Sequence, residues 1–146
     1  MHNLAECRGP LTPEMVWETL EDEDIQFTSN STSNHWIAKS KYTGHGFTLK
    51  VDSCKRWISG FWIKNIGART STKLATRAFS VYGSSHGNSS WEKLVEAELD
   101  DTREVKAELL NFTFNEAKEI QFLRFDLISL WGSYGGLQYF SPILGN

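Results

Sequence analysis

Few of the 146 residues stand where a reaction would need them. The four histidines, His2, His35, His45 and His86, are scattered, and no G-x-S-x-G elbow or H-E-x-x-H helix surrounds any of them. His35, His45 and Cys54 match no zinc-ligand spacing. Asp100 and Asp101 supply the two carboxylates that glycoside hydrolysis uses. They fall in a polar turn after a strand, with no apolar wall to raise one pKa above the other. No glycine-rich loop follows a strand and opens a helix, so a nucleotide phosphate has no cradle. These residue types point to binding by a non-enzymatic chain.

Binding chemistry concentrates in three loops. The first, Ser29 to Lys41, carries Asn34, His35 and Trp36. The second, Gly67 to Thr76, is rich in small polar residues and holds Arg69 and Lys73, with Arg77 just beyond it. The third sets Trp131 and Tyr134 among glycines. An aromatic ring in such a loop stacks on the C–H face of a pyranose, while Asn, His and Arg donors bind its hydroxyls. The competing reading makes Trp36 and Trp131 plugs at the end of a sandwich. Upstream, Glu21-Asp22-Glu23-Asp24 is either a solvated loop or an oxygen-rich calcium site using Asp22 and Asp24. No other cofactor is implied. Three N-x-Ser/Thr sequons begin at Asn30, Asn88 and Asn111.

The elements that must position these loops are strands. Phe47, Leu49 and Val51 alternate with Thr48 and Lys50. Trp57 to Ile66 is apolar at both parities and reads as a central strand covered on both faces. Phe79 to Tyr82 and Trp91 to Glu98 form a hairpin across a turn rich in Gly and Ser. Leu110 to Phe114, Ile120 to Ile128 and Leu137 to Ile143 complete the series. About eight evenly spaced strands without βαβ alternation predict an all-β antiparallel sandwich or barrel. Trp57, Phe61, Trp62, Phe79, Trp91, Phe112, Phe122 and Phe125 are its expected core. Residues 1–24 form a helical or irregular leader, packed on or linked to the domain, in which Thr12 would cap a short helix running to Leu20, with Pro13 in its first turn. Residues 25–146 form the domain.

Hydrophobic residues at 40% and charged residues at 23% suit one compact domain of this length. The net charge of −3 argues against a nucleic-acid partner, and no apolar run reaches the length of a membrane span. That small charge conceals a split. Nine bases and Asp52 alone lie between Ile25 and Trp91, a segment of 9 − 1 = +8, so the flanks carry −11. The basic segment either neutralises its acidic neighbours or selects an anionic ligand. Cys7 and Cys54 are either a bridge stapling the leader to the domain or two buried thiols. Met1 to Gly9 lacks the basic and apolar regions of a signal peptide, as in a cytosolic chain or a mature fragment given an added Met1.

Ile58-Ser59-Gly60-Phe61-Trp62-Ile63-Lys64-Asn65, Phe79-Ser80-Val81-Tyr82-Gly83-Ser84 and Trp91-Glu92-Lys93-Leu94 occur in an order that resembles the discoidin family. This is the coagulation factor 5/8 type C domain, of the galactose-binding-like superfamily. Thr32-Ser33-Asn34-His35-Trp36, Leu123-Arg124-Phe125 and Gly135-Gly136-Leu137-Gln138 extend the likeness over residues 25–143. The resemblance implies an eight-stranded antiparallel jelly-roll β-sandwich whose loops at one end bind glycans, phospholipid head groups, collagen or proteins. It implies ligand contacts from Asn34 or His35, from Arg69 with Asn65 nearby, and from Trp131 or Tyr134. It implies an extracellular or cell-surface setting and a glycan or glycoconjugate partner, in adhesion or recognition. Intracellular relatives act as scaffolds, so a cytoplasmic protein-binding domain is the alternative, with an anionic lipid head group as a further partner. Two departures stand out. The family's usual disulfide joins the two ends of the domain, but no cysteine follows Cys54 here. Ser141 stands near the place where lectin-like members keep an acid that helps to hold calcium.

Overall fold

Alternating apolar and polar residues produce the strands, and their apolar faces close on each other. The computed structural model describes residues 7–18, 36–37, 46–67, 75–85 and 90–145. Its strands are β1 (Glu14–Glu18), β2 (Trp36–Ile37), β3 (Gly46–Lys50), β4 (Arg56–Lys64), β5 (Thr76–Ser84), β6 (Glu92–Glu98), β7 (Leu110–Ile120), β8 (Phe122–Leu130), β9 (Gly136–Leu137) and β10 (Tyr139–Leu144). One sheet runs β1-β3-β8-β5-β6, a second β10-β4-β7, and β2 pairs with β9. All described pairings are antiparallel. The architecture is an all-β antiparallel sandwich, one of the two forms that the strand pattern predicts and the jelly roll that the resemblance implies, and β5 and β6 form the expected hairpin.

A cluster of phenylalanines holds the two sheets together. Phe47, Phe79 and Phe125 come from the five-stranded sheet, and Phe61, Phe112 and Phe140 from the three-stranded one. Phe125 stacks on Phe47 at 5.2 Å and on Phe79 at 5.5 Å. Phe61 stacks on Phe112 at 5.5 Å, lies 5.1 Å from Phe140, and meets Phe79 edge-on at 6.1 Å across the sandwich. Each fully buried ring contributes about 2–3 kcal/mol of transfer free energy, and edge-to-face pairs add to it.

Two expectations need correcting. Within the segment read as a helix from Thr12 to Leu20, Glu14–Glu18 form strand β1, paired with β3 from Glu14↔Lys50 to Glu18↔Phe47, and residues 19–20 lie outside the described ones. Met15, Val16 and Trp17 are good strand formers, and the open edge of β3 supplies ladder partners that an isolated short helix lacks. Thr12 bonds the Asp52 carboxylate at 3.0 Å. The strand read as covered on both faces is β4, central in its sheet but packed on one side. Ile58, Phe61 and Ile63 are buried, whereas Trp57 and Trp62 are 50% and 37% exposed. A bulge between Ile58 and Gly60 resets the alternation, so that both tryptophans leave the core. Of the other expected core aromatics, Trp91, Phe112 and Phe122 are half-buried.

At the end of the sandwich away from the long loops, the leader is tied down twice. Cys7 and Cys54 are disulfide-bonded across 47 residues, a closure that lowers the entropy of the unfolded chain by about 4 kcal/mol. Beside it, Arg56 Nη1 donates to Asp52 Oδ2 at 2.6 Å and Nη2 to the Gly9 carbonyl at 2.7 Å. The Ser53 amide and Thr12 hydroxyl donate to Asp52 Oδ1. Asp52 is thus answered from within the basic segment itself, and Arg77 of that segment faces Glu98 of the acidic flank at 3.8 Å.

Burial pushes the Asp52 carboxyl up, but the Ser53 amide, the Thr12 hydroxyl and the Arg56 guanidinium outweigh it, leaving the group below its ordinary 3.8. The unfolded chain therefore binds this proton more readily than the native one. The stabilisation is complete above pH 3.8 and is lost as pH falls through the lower folded value. Asp52→Asn is expected to cost about 3 kcal/mol at neutral pH, since it leaves Arg56 buried without its counter-charge. Its denaturation midpoint should also change less than wild type's in acid, read by urea melts at several pH values.

Candidate functional site

Strands β4, β6 and β8 end, and β5, β7 and β10 begin, at one end of the sandwich. Among the described residues, that topology brings Trp36–Ile37, Ile66–Gly67, Ala75–Thr76 and residues 131–137 together at this end. The third loop is stitched to the second by two backbone bonds: Trp131 N donates to Ala75 O and Ala75 N to Tyr134 O, both at 3.1 Å. It is joined to the first by the β2–β9 pair, Trp36↔Leu137 and Ile37↔Gly136. The Thr76 hydroxyl locks this seam, donating to Gly136 O at 2.7 Å and accepting from Gly136 N at 3.1 Å.

Asn65 sits under the loops and is buried. Its Oδ1 accepts from the amides of Ile66 at 2.9 Å and Thr76 at 3.1 Å. Its Nδ2 donates to Thr76 O at 2.8 Å and Asp100 O at 3.4 Å. The side chain behaves as a strand substitute that splices the end of β4 to the start of β5, and its polar atoms are engaged within the protein. Trp131 is half-buried. Its Nε1–H donates to Leu99 O at 2.8 Å, and the Arg77 guanidinium lies 4.7 Å from its ring centroid. Tyr134 is 37% exposed at the rim. Asn34, His35, Arg69, Asp22 and Asp24 lie outside the described residues. Among the described residues, no three His, Cys, Asp or Glu side chains gather as a metal site.

Between Asn65 and the connection of residues 99–109 lies a cavity of about 370 Å³. Leu99 and Leu110 give it apolar wall, and Asp100, Lys106 and Glu108 give it charged groups. The connection is pinned by Thr102, whose hydroxyl donates to Ile66 O at 2.8 Å. Gly67 presses against it, where a Cβ would come 2.7 Å from Ala107 N. At its exposed tip the Arg103 side chain, then its amide, hold the Asp101 carboxyl below the usual range. An apolar wall with hydrogen-bonding groups at its edge suits a small ring bearing hydroxyls. The sequence reading passed over this connection, treating Asp100 and Asp101 as a solvated turn. Its length between two strands was the available signal, since a hairpin needs only a few residues.

The described geometry gives Asn65 a positioning role with a direct test. Asn65→Ala strands the Thr76 amide and carbonyl in the interior, at about 1–3 kcal/mol for unsatisfied buried groups. A fall in melting temperature should accompany faster amide exchange at Ala75, Thr76 and Gly136. Exchange at Val51 and Gln121, at the far end, should follow global unfolding alone.

No protein-family model matches the chain, and no curated protein matches it. Solved structures do. One is a family 32 carbohydrate-binding module, CBM32-1, of a family 31 glycoside hydrolase from Clostridium perfringens. It superposes with a TM-score of 0.67 at 13% identity, covering 91% of this chain and 93% of that one. A second module from the same organism, in complex with GalNAc-β-1,3-galactose, gives 0.67, 13%, 91% and 94%. The family 32 module of NanJ from that organism, in complex with galactose, gives 0.64, 11%, 90% and 92%. Identities this low speak for fold alone: the chain has the jelly-roll fold of these modules, the galactose-binding-like fold that discoidin domains share.

Proposed function

We propose that this domain is a non-enzymatic carbohydrate-binding module that takes a glycan or glycoconjugate at the loop end of the sandwich, in adhesion or recognition outside the cell. The observation that carries the reading is the joining of Ala75, Trp131, Tyr134 and the β2–β9 pair at one end, beside a cavity with apolar walls and charged edges. Tyr134 offers the exposed ring, with Asn34 or His35 and Arg69 as hydrogen-bonding partners from the adjoining loops. Asn65 and Trp131 hold the frame. The fold supports this reading, because modules of similar structure hold galactose and GalNAc-β-1,3-galactose. The Cys7–Cys54 bridge supports an oxidising, extracellular setting over a cytoplasmic scaffold. A lipid-binding reading would need Trp131 as a free apolar spike, and its indole is bonded to Leu99 and overlaid by Arg77.

A glycan array followed by calorimetry tests the proposal. Affinity for a single sugar should be weak, around millimolar, with avidity on multivalent surfaces. Tyr134→Ala and Arg69→Ala are each expected to weaken binding about tenfold or more, on the scale of losing one anchoring contact, with an unchanged melting temperature. Trp131→Ala should lower both binding and melting temperature. A blank array combined with liposome binding that rises with anionic lipid would overturn the reading.

A further inference from the structure

The sequon Asn111-Phe112-Thr113 opens β7, an edge strand of the three-stranded sheet. Phe112 turns inward, stacked on Phe61 at 5.5 Å, while Asn111 and Thr113 are both exposed. Strand alternation therefore places the acceptor amide and the hydroxyl that a sequon requires on one solvent-facing side. Across the ladder, Asn111 stands opposite Trp62, and Thr113 opposite Gly60, which adds no side chain to that rung. Directly opposed residues on neighbouring strands bring their Cβ atoms to about 5 Å. Trp62 is the 37% exposed indole that the core does not use, with the small residue Ser141 opposite it on β10. The disulfide between Cys7 and Cys54 belongs to the oxidising route on which sequons are modified.

We propose that Asn111 carries an N-linked glycan whose first N-acetylglucosamine lies across the exposed face of Trp62. The donor is a lipid-diphosphate-linked oligosaccharide. The Asn111 amide nitrogen attacks its anomeric carbon and forms the N-glycosidic bond. The bond from that carbon to the diphosphate oxygen breaks, the lipid diphosphate departs, and the amide gives up one proton. No electron changes hands. The attached sugar then covers an aromatic ring that the sandwich leaves in water, by the same ring-to-C–H contact that suits sugars generally. It also shields the open edge of β7 from pairing with another chain. This site is an acceptor on the sheet face, separate from the loop-end receptor, and either can fail without the other.

The full chain, secreted from a eukaryotic cell line, provides the test. Peptide mass spectrometry should find Asn111 occupied in wild type and bare in Thr113→Ala. Enzymatic removal of the glycan from the native protein should shift tryptophan emission and lower the melting temperature by a few degrees. Both changes should vanish in Trp62→Ser that is itself glycosylated. Secreted, folded wild type with Asn111 unmodified would overturn the proposal. Occupancy at Asn111 with emission and melting temperature indifferent to deglycosylation would overturn the placement on Trp62.

Discussion

The amide of Asn65 is the joint on which the loop end depends. Strands β4 and β5 lie in different sheets, so no ladder runs from the end of one to the start of the next. The Asn65 side chain supplies the missing bonds, engaging both the amide and the carbonyl of Thr76. Thr76, once fixed, presents its hydroxyl to Gly136 and so fixes the last loop. One side chain thereby sets where the sheets part, and a second carries that position to the loop holding Trp131 and Tyr134. A buried amide can do this because each of its polar atoms finds a partner, without which its burial would oppose folding.

The opposite end is built on a different principle. There, a covalent bridge and a buried Asp52–Arg56 pair bind the leader to the turn after β3. The combination fastens the chain just before β1, which lies at the edge of its sheet. A rigid frame with its fastening at one end and its variable loops at the other is the arrangement on which binding sites most readily diversify.

Strand periodicity was legible wherever one face met the core. Phe47-Leu49, Phe79-Val81 and Leu123-Phe125 alternate in the sequence and are buried, although Thr48 and Ser80 between the first two pairs are buried as well. The helix read at Thr12 failed because capping signals are local, whereas the free edge of β3 lies far along the chain. Trp57 and Trp62 were misassigned because a bulge shifts the side-chain parity by one, and bulges leave little trace in residue type. Asn65 entered only as a ligand contact implied by the resemblance, and its splice was not legible, since its partners at Thr76 and Asp100 are distant in sequence. The cavity wall at residues 99–109 was hidden by its ordinary composition of charged loop residues.

A sugar should meet the sandwich at the end where β4 gives way to β5. Amide chemical-shift mapping, with the sugar that gives the strongest array response, measures that place residue by residue. The shifts should cluster on Asn65–Gly67, Ala75–Arg77, residues 99–108 and 131–137, at one end of the molecule. Shifts centred on Val51–Arg56 and Gln121, at the disulfide end, or on the outer face around Trp57 and Trp62, would contradict it.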